Sequence, residues 1–287
     1  MIVISRLFVS SALISLYNLK RENAINENLQ AGMGVSVAVS KYGDRSVIDL
    51  SDWGRPIARV VARFLKDKPV PVIQVTNLHL LLTIYCSWLI LQGAILVACI
   101  LLVVKGVIDA VDGELARLRE RPSHTGRYWD TFADSIGLVA VMCSFGLLYD
   151  WSSLLIFAMI LAILLQYSLF NHYSILMRSL TSGDSTSRND ERTKPTAYPW
   201  ERQATVNICH SIYVMFFSWQ DRIIAALSGD GSKNLTFELT VSSTLGFGLQ
   251  SLIFLGLAVT ANLTYLPELI LGVNMGLLVL VLLRSRI

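Results

Sequence analysis

The chain has 287 residues, of which 53% are hydrophobic and only 16% are charged, and its mean hydropathy is +0.54. This composition is too apolar for an ordinary soluble domain and predicts a membrane protein. The 24 basic and 21 acidic residues leave a net charge of only +3, which argues against nucleic acid as a partner.

The N-terminal part of the chain is the only sizeable stretch without long apolar runs. We interpret residues 1–51 as an N-terminal cytoplasmic or interfacial segment and residues 52–287 as one membrane domain. The membrane domain begins with a segment, Asp52 to Phe64, whose apolar residues share one helical stripe while its arginines lie elsewhere. This pattern predicts an amphipathic juxtamembrane helix at the membrane interface. The stripe comprises Trp53, Ile57, Val60, Val61 and Phe64.

A long charge-free stretch follows, from Pro69 to Val104. One straight helix of that length would measure about 54 Å and would overshoot a hydrocarbon core of about 30 Å. The stretch therefore predicts a helical hairpin that turns at Gln92-Gly93. Four further apolar stretches complete an all-α membrane protein with six transmembrane helices. The predicted spans are 76–91, 94 to beyond Lys105, 129–149, 151–177, 239–267 and 269–283, and it stays open whether residues 206–227 enter the bilayer.

The distribution of basic residues predicts the orientation in the membrane. Lys and Arg accumulate on the cytoplasmic side of short loops. The three loops around Gln92-Gly93, Asp150 and 262–268 contain no basic residue, so both termini and the basic clusters are predicted to be cytoplasmic. The clusters are Arg55, Arg59, Arg63, Lys66 and Lys68; Arg117, Arg119, Arg121 and Arg127; and Arg178, Arg188, Arg192, Lys194 and Arg202.

Four aspartates lie within 26 residues at the predicted cytoplasmic ends of two spans. Asp109 and Asp112 are spaced i, i+3, and Asp130 and Asp134 are spaced i, i+4, so each pair shares one helical face. The loop 118–125 is short enough to bring the two faces together. Unpaired charges there would be costly, so the aspartates need cations.

Four carboxylates without His or Cys form a hard oxygen site, suited to Mg²⁺, Mn²⁺ or Ca²⁺ rather than zinc. The small residues Gly113, Ala116 and Gly126 leave room for a ligand, and Arg117 beside them suits a diphosphate. Other neighbours are interpreted differently. His79 is expected to be a membrane-core or interface histidine, and Glu114 is expected to point away from the aspartate face. Arg119, Arg121 and Arg127 are interpreted as topology signals that contact anionic lipids.

The segment 109–134 resembles the signature of the CDP-alcohol phosphotransferases, which are integral membrane enzymes of phospholipid synthesis. Their motif is D-x2-D-G-x2-A-R-x8-G-x3-D-x3-D, and all eight fixed positions match. A looser resemblance extends over residues 53–284 through the six spans. The matching positions are Asp109, Asp112, Gly113, Ala116, Arg117, Gly126, Asp130 and Asp134.

The resemblance implies transfer of a substituted phosphate from a CDP-linked donor to an alcohol, with release of CMP. It implies Mg²⁺ or Mn²⁺, two ions in number, held by Asp109, Asp112 and Asp130 together with Asp134, which would also deprotonate the acceptor. It further implies a homodimer. Gly113, Ala116, Arg117 and Gly126 would then bind the nucleotide or substrate, as would Thr76, which is the last residue of a weaker match to the start of the family's first span.

Two departures from the family pattern and several alternatives remain at this point. Residues 72–76 keep the Val and Thr of the Pro-Asn-x-Val-Thr sequence with which members often enter the first span, but not its Pro and Asn. Ser135 follows the fourth aspartate where members that use phosphorylated acceptors often have Lys or Arg, which disfavours such an acceptor. CDP-diacylglycerol is the favoured donor because it is common in the family. The alternatives are transfer of a choline- or ethanolamine-type headgroup to diacylglycerol, transfer between polar alcohols, or, in a different class, a divalent-cation transporter.

Overall fold

A computed structural model of the chain describes residues 41–42, 47–180, 191–228 and 234–285. Residues 1–40 and 43–46 of the predicted N-terminal segment, and Arg188 of the third basic cluster, lie outside the described residues. The described residues form helices and the loops that connect them, and they contain no strand. They belong to one compact unit, Val39–Ile287.

The helices follow in chain order as α1 to α10. A short 3-10 turn, Leu50–Asp52, precedes α1, another at Leu263–Tyr265 follows α9, and a π-helical segment, Glu268–Asn274, leads directly into α10. The bounds are α1 Arg55–Leu65, α2 Val72–Leu91, α3 Ile95–Leu118, α4 His124–Leu148, α5 Ser153–Leu180, α6 Gln203–Phe216, α7 Ser218–Ser228, α8 Leu235–Ser243, α9 Phe247–Val259 and α10 Met275–Arg284.

The predicted hairpin between the first two long helices is confirmed. Gly93 has a φ of +76°, a left-handed conformation that glycine adopts without strain, and its N–H donates to Ile90 O across the turn. The helices α2, α3 and α4 then pack against one another. Their apolar interface includes Cys86, Ile90, Cys99, Met142 and Phe145.

Four helical stretches among the described residues are long and apolar enough to cross a membrane, judged by length and composition. They are α2, α4, α5 and the combined stretch Leu235–Val259, which contains α8 and α9. Two of the six predicted spans therefore do not meet this criterion of length and composition. The helix α3 has 24 residues but carries Lys105, Asp109 and Asp112, and the last helical stretch, Glu268–Arg284, is short.

Amide side chains join the later helices inside the apolar core. Asn274 Nδ2 donates to Gln250 Oε1 on α9 over 3.0 Å and to Gln166 Oε1 on α5 over 3.3 Å. Gln166 Nε2 in turn donates to Ile270 O over 3.1 Å. Because polar groups in an apolar core need partners, this network fixes how α5, α9 and the π-helical segment meet.

The predicted amphipathic helix forms as α1, with Pro56 in its first turn, where proline is favoured. Its small residues Ala58 and Ala62 are fully buried against the protein. The large apolar residues face outward, since Ile57, Val60 and Phe64 are 55%, 65% and 72% exposed. The helix therefore packs on α3 through alanines and presents its apolar stripe away from the protein.

Candidate active site

The aspartate-bearing ends of α3 and α4 meet because the connection between them is short and well capped. Ser123 is the N-cap of α4, and its hydroxyl accepts from Gly126 N over 2.8 Å. A cavity of about 450 Å³ opens beside these helix ends and is lined by residues of both. All four aspartates of the motif line it: Asp109, Asp112, Asp130 and Asp134.

Three of the aspartates converge with a histidine that was not expected there. One ligand atom from each of His79, Asp109, Asp112 and Asp130 lies within 4.8 Å of all the others. His79 Nε2 lies 3.3 Å from Asp130 Oδ1, 3.6 Å from Asp109 Oδ1 and 3.8 Å from Asp112 Oδ2. The interpretation of His79 as a mere core histidine was therefore incomplete, since the fully buried ring belongs to the carboxylate cluster.

The helix α2 supplies two polar side chains to this cluster. Thr76 Oγ1 donates to Asp112 Oδ2 over 2.8 Å, and His79 follows three residues later on the same helical face. His79 Nδ1 is buried and has no hydrogen-bond partner, so the ring's described polar contacts are all with carboxylates through Nε2. The α2 face therefore orients the aspartates of α3 and α4.

The fourth aspartate, Asp134, lies in a different environment from the other three. Asp134 lines the cavity but is not part of the four-residue cluster. Its Oδ1 lies 2.5 Å from the ammonium of Lys105, which is buried on α3 one turn before Asp109. Lys105 also lies 3.6 Å from Asp109 Oδ2. The aspartate motif itself did not indicate this lysine.

The residues expected to bind nucleotide separate into two groups. Gly113 and Arg117 line the cavity, whereas Thr76, Ala116 and Gly126 are not among the described residues that line it. A methyl group at Gly113 would lie 3.2 Å from Arg117 Nη2, so the glycine makes room for the guanidinium. At Gly126 the same methyl would meet the Ser123 hydroxyl at 3.1 Å, a contact within the helix cap.

Glu114 is buried and pairs with two arginines. It is 8% exposed and forms ion pairs with Arg55 of α1 and with Arg117, the latter over 3.2 Å. Glu114 was expected to lie off the aspartate face, and its position agrees with this. Its pairing with Arg55 of α1 could not be predicted, because the two residues come together only in the folded protein. Glu114 therefore links the amphipathic helix to a residue of the cavity wall.

Two arginines interpreted as lipid contacts bind protein groups instead. Arg119 donates to the carbonyl oxygens of Leu65, Lys66, Lys68 and Val70 at 2.6 to 2.9 Å. Arg127 donates to Glu191 Oε1 over 2.6 Å. These arginines therefore have structural roles, and a positive-inside signal does not describe them fully.

Glu201, which is distant in sequence, accepts hydrogen bonds from the start of α4. Glu201 accepts from Thr125 N over 2.7 Å, from the Ser123 hydroxyl over 2.8 Å and from His124 N over 3.2 Å. A carboxylate at a helix N-terminus satisfies the free N–H groups and complements the helix dipole. Partial burial raises the pKa of Glu201, but these hydrogen bonds outweigh it and hold the pKa below its ordinary value.

The donor set at the four-residue cluster fits a hard divalent cation. Three carboxylates offer oxygens and one imidazole offers a nitrogen, all close enough to share one ion. No sulfur ligand takes part, which fits magnesium or manganese better than a structural zinc site. Among the described residues, Asp109, Asp112, Asp130 and His79 could therefore hold such an ion.

The helices and the site together define an integral membrane protein with a carboxylate-rich, metal-type site in an open cavity. A family model described as CDP-alcohol phosphatidyltransferase matches residues 72–229, which is more than half of the chain. The protein belongs to this family and is a phosphotransferase that uses a CDP-alcohol donor. A comparison with curated proteins finds no match. Family membership leaves the cation-transporter hypothesis without support.

Proposed function

We propose that the protein transfers a phosphatidyl group from CDP-diacylglycerol to the hydroxyl of an alcohol and releases CMP, with a divalent metal ion as cofactor. The observation that carries the proposal is the convergence of Asp109, Asp112 and Asp130 with His79 inside the cavity that Asp134 also lines. A membrane location for this chemistry is in keeping with a lipid donor.

In this proposal Asp109, Asp112 and Asp130 would hold Mg²⁺ or Mn²⁺, which would supply charge neutralisation for the donor diphosphate and the leaving CMP. Asp134 accepts the proton of the acceptor hydroxyl as a general base. The acceptor oxygen then forms a bond to the phosphorus, and the bond from that phosphorus to the oxygen of CMP breaks. The family resemblance also assigns Asp134 to the metal ligands.

The nucleotide is proposed to bind beside Gly113, Ala116 and Arg117, with Thr76 and Gly126 nearby. Support comes from Gly113 and Arg117, which line the cavity next to the aspartates. The contact of Thr76 with Asp112 and the helix-capping position of Gly126 favour indirect roles for these two residues, through the orientation of the carboxylate and of α4.

The acceptor is proposed to be an alcohol without a phosphate group. Each described cation that lines the cavity contacts a carboxylate, Arg117 at the proposed nucleotide site included, and none of them stands out as a separate site for an acceptor phosphate. Ser135 after the fourth aspartate agrees with this view. The pairs are Lys41 with Asp49, Arg55 with Asp52, Lys105 with Asp134, Arg117 with Glu114, and Arg127 with Glu191.

The membrane arrangement is proposed to comprise six spans, in which α3 and the stretch Glu268–Arg284 cross the bilayer with the four more apolar stretches. The helix α1 then lies in the interface through Ile57, Val60 and Phe64, and the active site and both termini face the cytoplasm. Residues 1–51 form an N-terminal segment before a membrane domain of 52–287. We also propose a homodimer, on the family resemblance alone.

The test is CMP release by the purified protein with Mg²⁺ or Mn²⁺. CDP-diacylglycerol, CDP-choline, CDP-ethanolamine and CDP-inositol are each offered with soluble and lipid alcohols. We expect CMP from CDP-diacylglycerol with a soluble alcohol, and its loss in Asp134→Asn, which is nearly isosteric. The matched control is Asp150→Asn, an exposed aspartate in a turn, which should retain full activity.

Other outcomes would redirect the proposal. CMP formed only from CDP-choline or CDP-ethanolamine with diacylglycerol would show that the lipid is the acceptor, and CMP from CDP-inositol would indicate transfer between polar alcohols. Unchanged CMP release in Asp134→Asn would remove Asp134 as the base.

A further inference from the structure

Two helices outside the aspartate motif, α5 and α7, line the cavity with polar side chains. Ser168 and Asn171 are three residues apart on α5 and therefore share one helical face. Gln220 and Asp221 are neighbours in the first turn of α7. We call these four residues the α5–α7 wall. The metal-type cluster and the proposed nucleotide residues include none of them.

Hydroxyl groups from two helices fix the carboxylate of Asp221. Its Oδ1 accepts from the Ser168 hydroxyl over 2.6 Å, and its Oδ2 accepts from the Tyr213 hydroxyl at the end of α6 over 2.8 Å. Each oxygen of a carboxylate can accept more than one hydrogen bond. Asp221 is therefore held in one orientation and can still accept from a molecule in the cavity.

Asp221 has no cationic partner among the described residues. The guanidinium of Arg127 lies 5.5 Å from the centre of the Tyr213 ring, but it pairs with Glu191. Asp221 thus differs from Asp134, whose charge is balanced by Lys105. The neutral hydroxyls of Ser168 and Tyr213 are its described partners, so this side of the cavity is polar without being basic.

The neighbouring amide of Gln220 is buried without a described hydrogen bond. The side chain lines the cavity, is only 7% exposed, and its Oε1 has no partner. A buried polar group without a partner costs free energy, which a ligand that bonds to it recovers. An amide both donates and accepts hydrogen bonds, so Gln220 can bind a hydroxyl in either direction.

The α5–α7 wall and Asp134 belong to the same cavity. Phe132, two residues before Asp134 on α4, stacks on Phe217 with 5.8 Å between the ring centres. Phe217 joins α6 to α7 and comes three residues before Gln220. This contact fixes the start of α7 beside the part of α4 that carries Asp134. A molecule with one hydroxyl at Asp134 can therefore extend its other groups toward the wall.

The chemistry of the wall favours a molecule with several hydroxyl groups. Hydroxyls donate to a carboxylate and both donate to and accept from amides, so they match Asp221, Gln220 and Asn171 together. A phosphate would be repelled by Asp221, which has no cation beside it to offset the charge. An ammonium would satisfy Asp221, but it cannot accept from the amide N–H groups of Gln220 and Asn171.

We propose that the α5–α7 wall binds the acceptor and selects a polyol, an uncharged alcohol with several hydroxyl groups. One hydroxyl of the polyol reacts beside Asp134, and the others bind to Asp221 and Gln220. These two residues determine acceptor specificity and take no part in binding the metal or the nucleotide. The inference rests on the proposed phosphotransfer and names the class of its acceptor.

The experiment measures CMP release by the purified full-length protein with CDP-diacylglycerol and Mn²⁺. Glycerol and myo-inositol are compared with serine and ethanolamine as acceptors, and we expect CMP with a polyol. Asp221→Asn is nearly isosteric and can keep both hydroxyl contacts. It should raise the KM for the polyol by about tenfold or more, as expected when a hydrogen bond to a charged group is lost, while the KM for the donor and the Mn²⁺ affinity stay unchanged.

Gln220→Met keeps the length of the side chain, removes the amide, and should likewise raise only the KM for the polyol. Arg222→Gln is the matched control, because it changes an exposed residue of the same helix and should leave both KM values unchanged. CMP formed with serine or ethanolamine and with neither polyol would overturn the inference and leave the phosphotransfer standing. An unchanged polyol KM in both variants, folded by thermal melting, would also overturn it.

Polyol binding is also measured without turnover, by saturation-transfer NMR of glycerol and myo-inositol with the protein and no donor. If no donor yields CMP, the proposed function fails. A polyol signal that is present in the wild type and lost in Asp221→Asn would then still support the α5–α7 wall as a polyol site. The absence of a polyol signal from the wild type, together with no turnover of a polyol, would overturn the inference.

Discussion

The hydroxyl of Thr76 on α2 donates a hydrogen bond to Asp112 on α3 over 2.8 Å, and both side chains are buried. This bond orients a carboxylate of the proposed metal site from a neighbouring helix. Groups that hold a metal ligand in this way typically affect metal affinity by about tenfold to a hundredfold. We therefore propose that Thr76 acts on the site through Asp112, and its contact with nucleotide stays a prediction from the sequence.

Replacing Thr76 with valine should weaken Mn²⁺ binding by about tenfold or more, because Asp112 loses its donor while the side-chain volume is kept. Thr76→Ser retains the hydroxyl and should bind Mn²⁺ nearly as well as the wild type. The measurement is a Mn²⁺ titration of each purified protein. Equal affinity in the valine and serine variants would show that the bond does not support the site.

Gly113→Ala should shift Arg117 slightly and weaken donor binding if Arg117 contacts the donor. A methyl group at Gly113 would lie 3.2 Å from Arg117 Nη2, so the guanidinium has to give way by a few tenths of an ångström. We expect the KM for the CDP-linked donor to rise by a few fold, about one tenth or less of the loss that a full 1 Å misplacement can cause. Gly256→Ala is the control, because a methyl group there meets nothing within 4 Å. An unchanged KM in Gly113→Ala would argue against a role for Arg117 in donor binding.

Arg119 should be important for stability and not for chemistry. Its guanidinium binds four carbonyl oxygens between Leu65 and Val70, a set that a lysine ammonium cannot match in geometry. Arg119→Lys should lower the free energy of unfolding by about 0.5–1.5 kcal/mol, the net contribution of a typical hydrogen bond, because water can reach the carbonyl oxygens that lysine leaves unpaired. Thermal melting checks this, with the exposed Arg121→Lys as the matched control. If both variants melt at the same temperature, the hydrogen bonds of Arg119 to the four carbonyl oxygens contribute no stability.

Glu201 should make stability depend on pH in a defined direction. Its folded pKa is lowered from an ordinary value of 4.5, so its stabilising effect is fully present above that value. The effect is lost as the pH falls through the lower, folded pKa, because the carboxylate becomes protonated. Glu201→Gln should therefore melt at a lower temperature than the wild type at pH 7, and the gap should shrink at acidic pH. A gap that widens on acidification would contradict this assignment.

Much of the fold could be predicted because it depends on local sequence. The charge-free stretch was too long for one span, and Gln92-Gly93 offered a turn that the positive φ of Gly93 confirms. The helical stretch of α1 was also predictable from its amphipathic stripe, whereas its place at the membrane interface stays a prediction. The burial of Ala58 and Ala62 was not, since it depends on how closely α3 approaches.

The site could be predicted in part. The spacing of the aspartates indicated that they face one another, and all four line the cavity. His79 and Lys105 were missed although helical spacing carried a signal: His79 is three residues after Thr76, and Lys105 is four residues before Asp109. Glu201 could not have been found in this way, because it reaches α4 from a distant part of the chain.

Ion pairs connect α1, with its outward apolar stripe, to the wall of the cavity. Arg55, in the first turn of α1, pairs with Glu114, which in turn pairs with Arg117 of the cavity wall. With α1 in the interface as proposed, loosely packed or highly curved bilayers would seat Phe64 more deeply and shift this chain of charges. We expect CMP release to differ between small and large vesicles of one composition, and Phe64→Ala to reduce the difference. The rate of phospholipid synthesis would then depend on the packing and curvature of the bilayer.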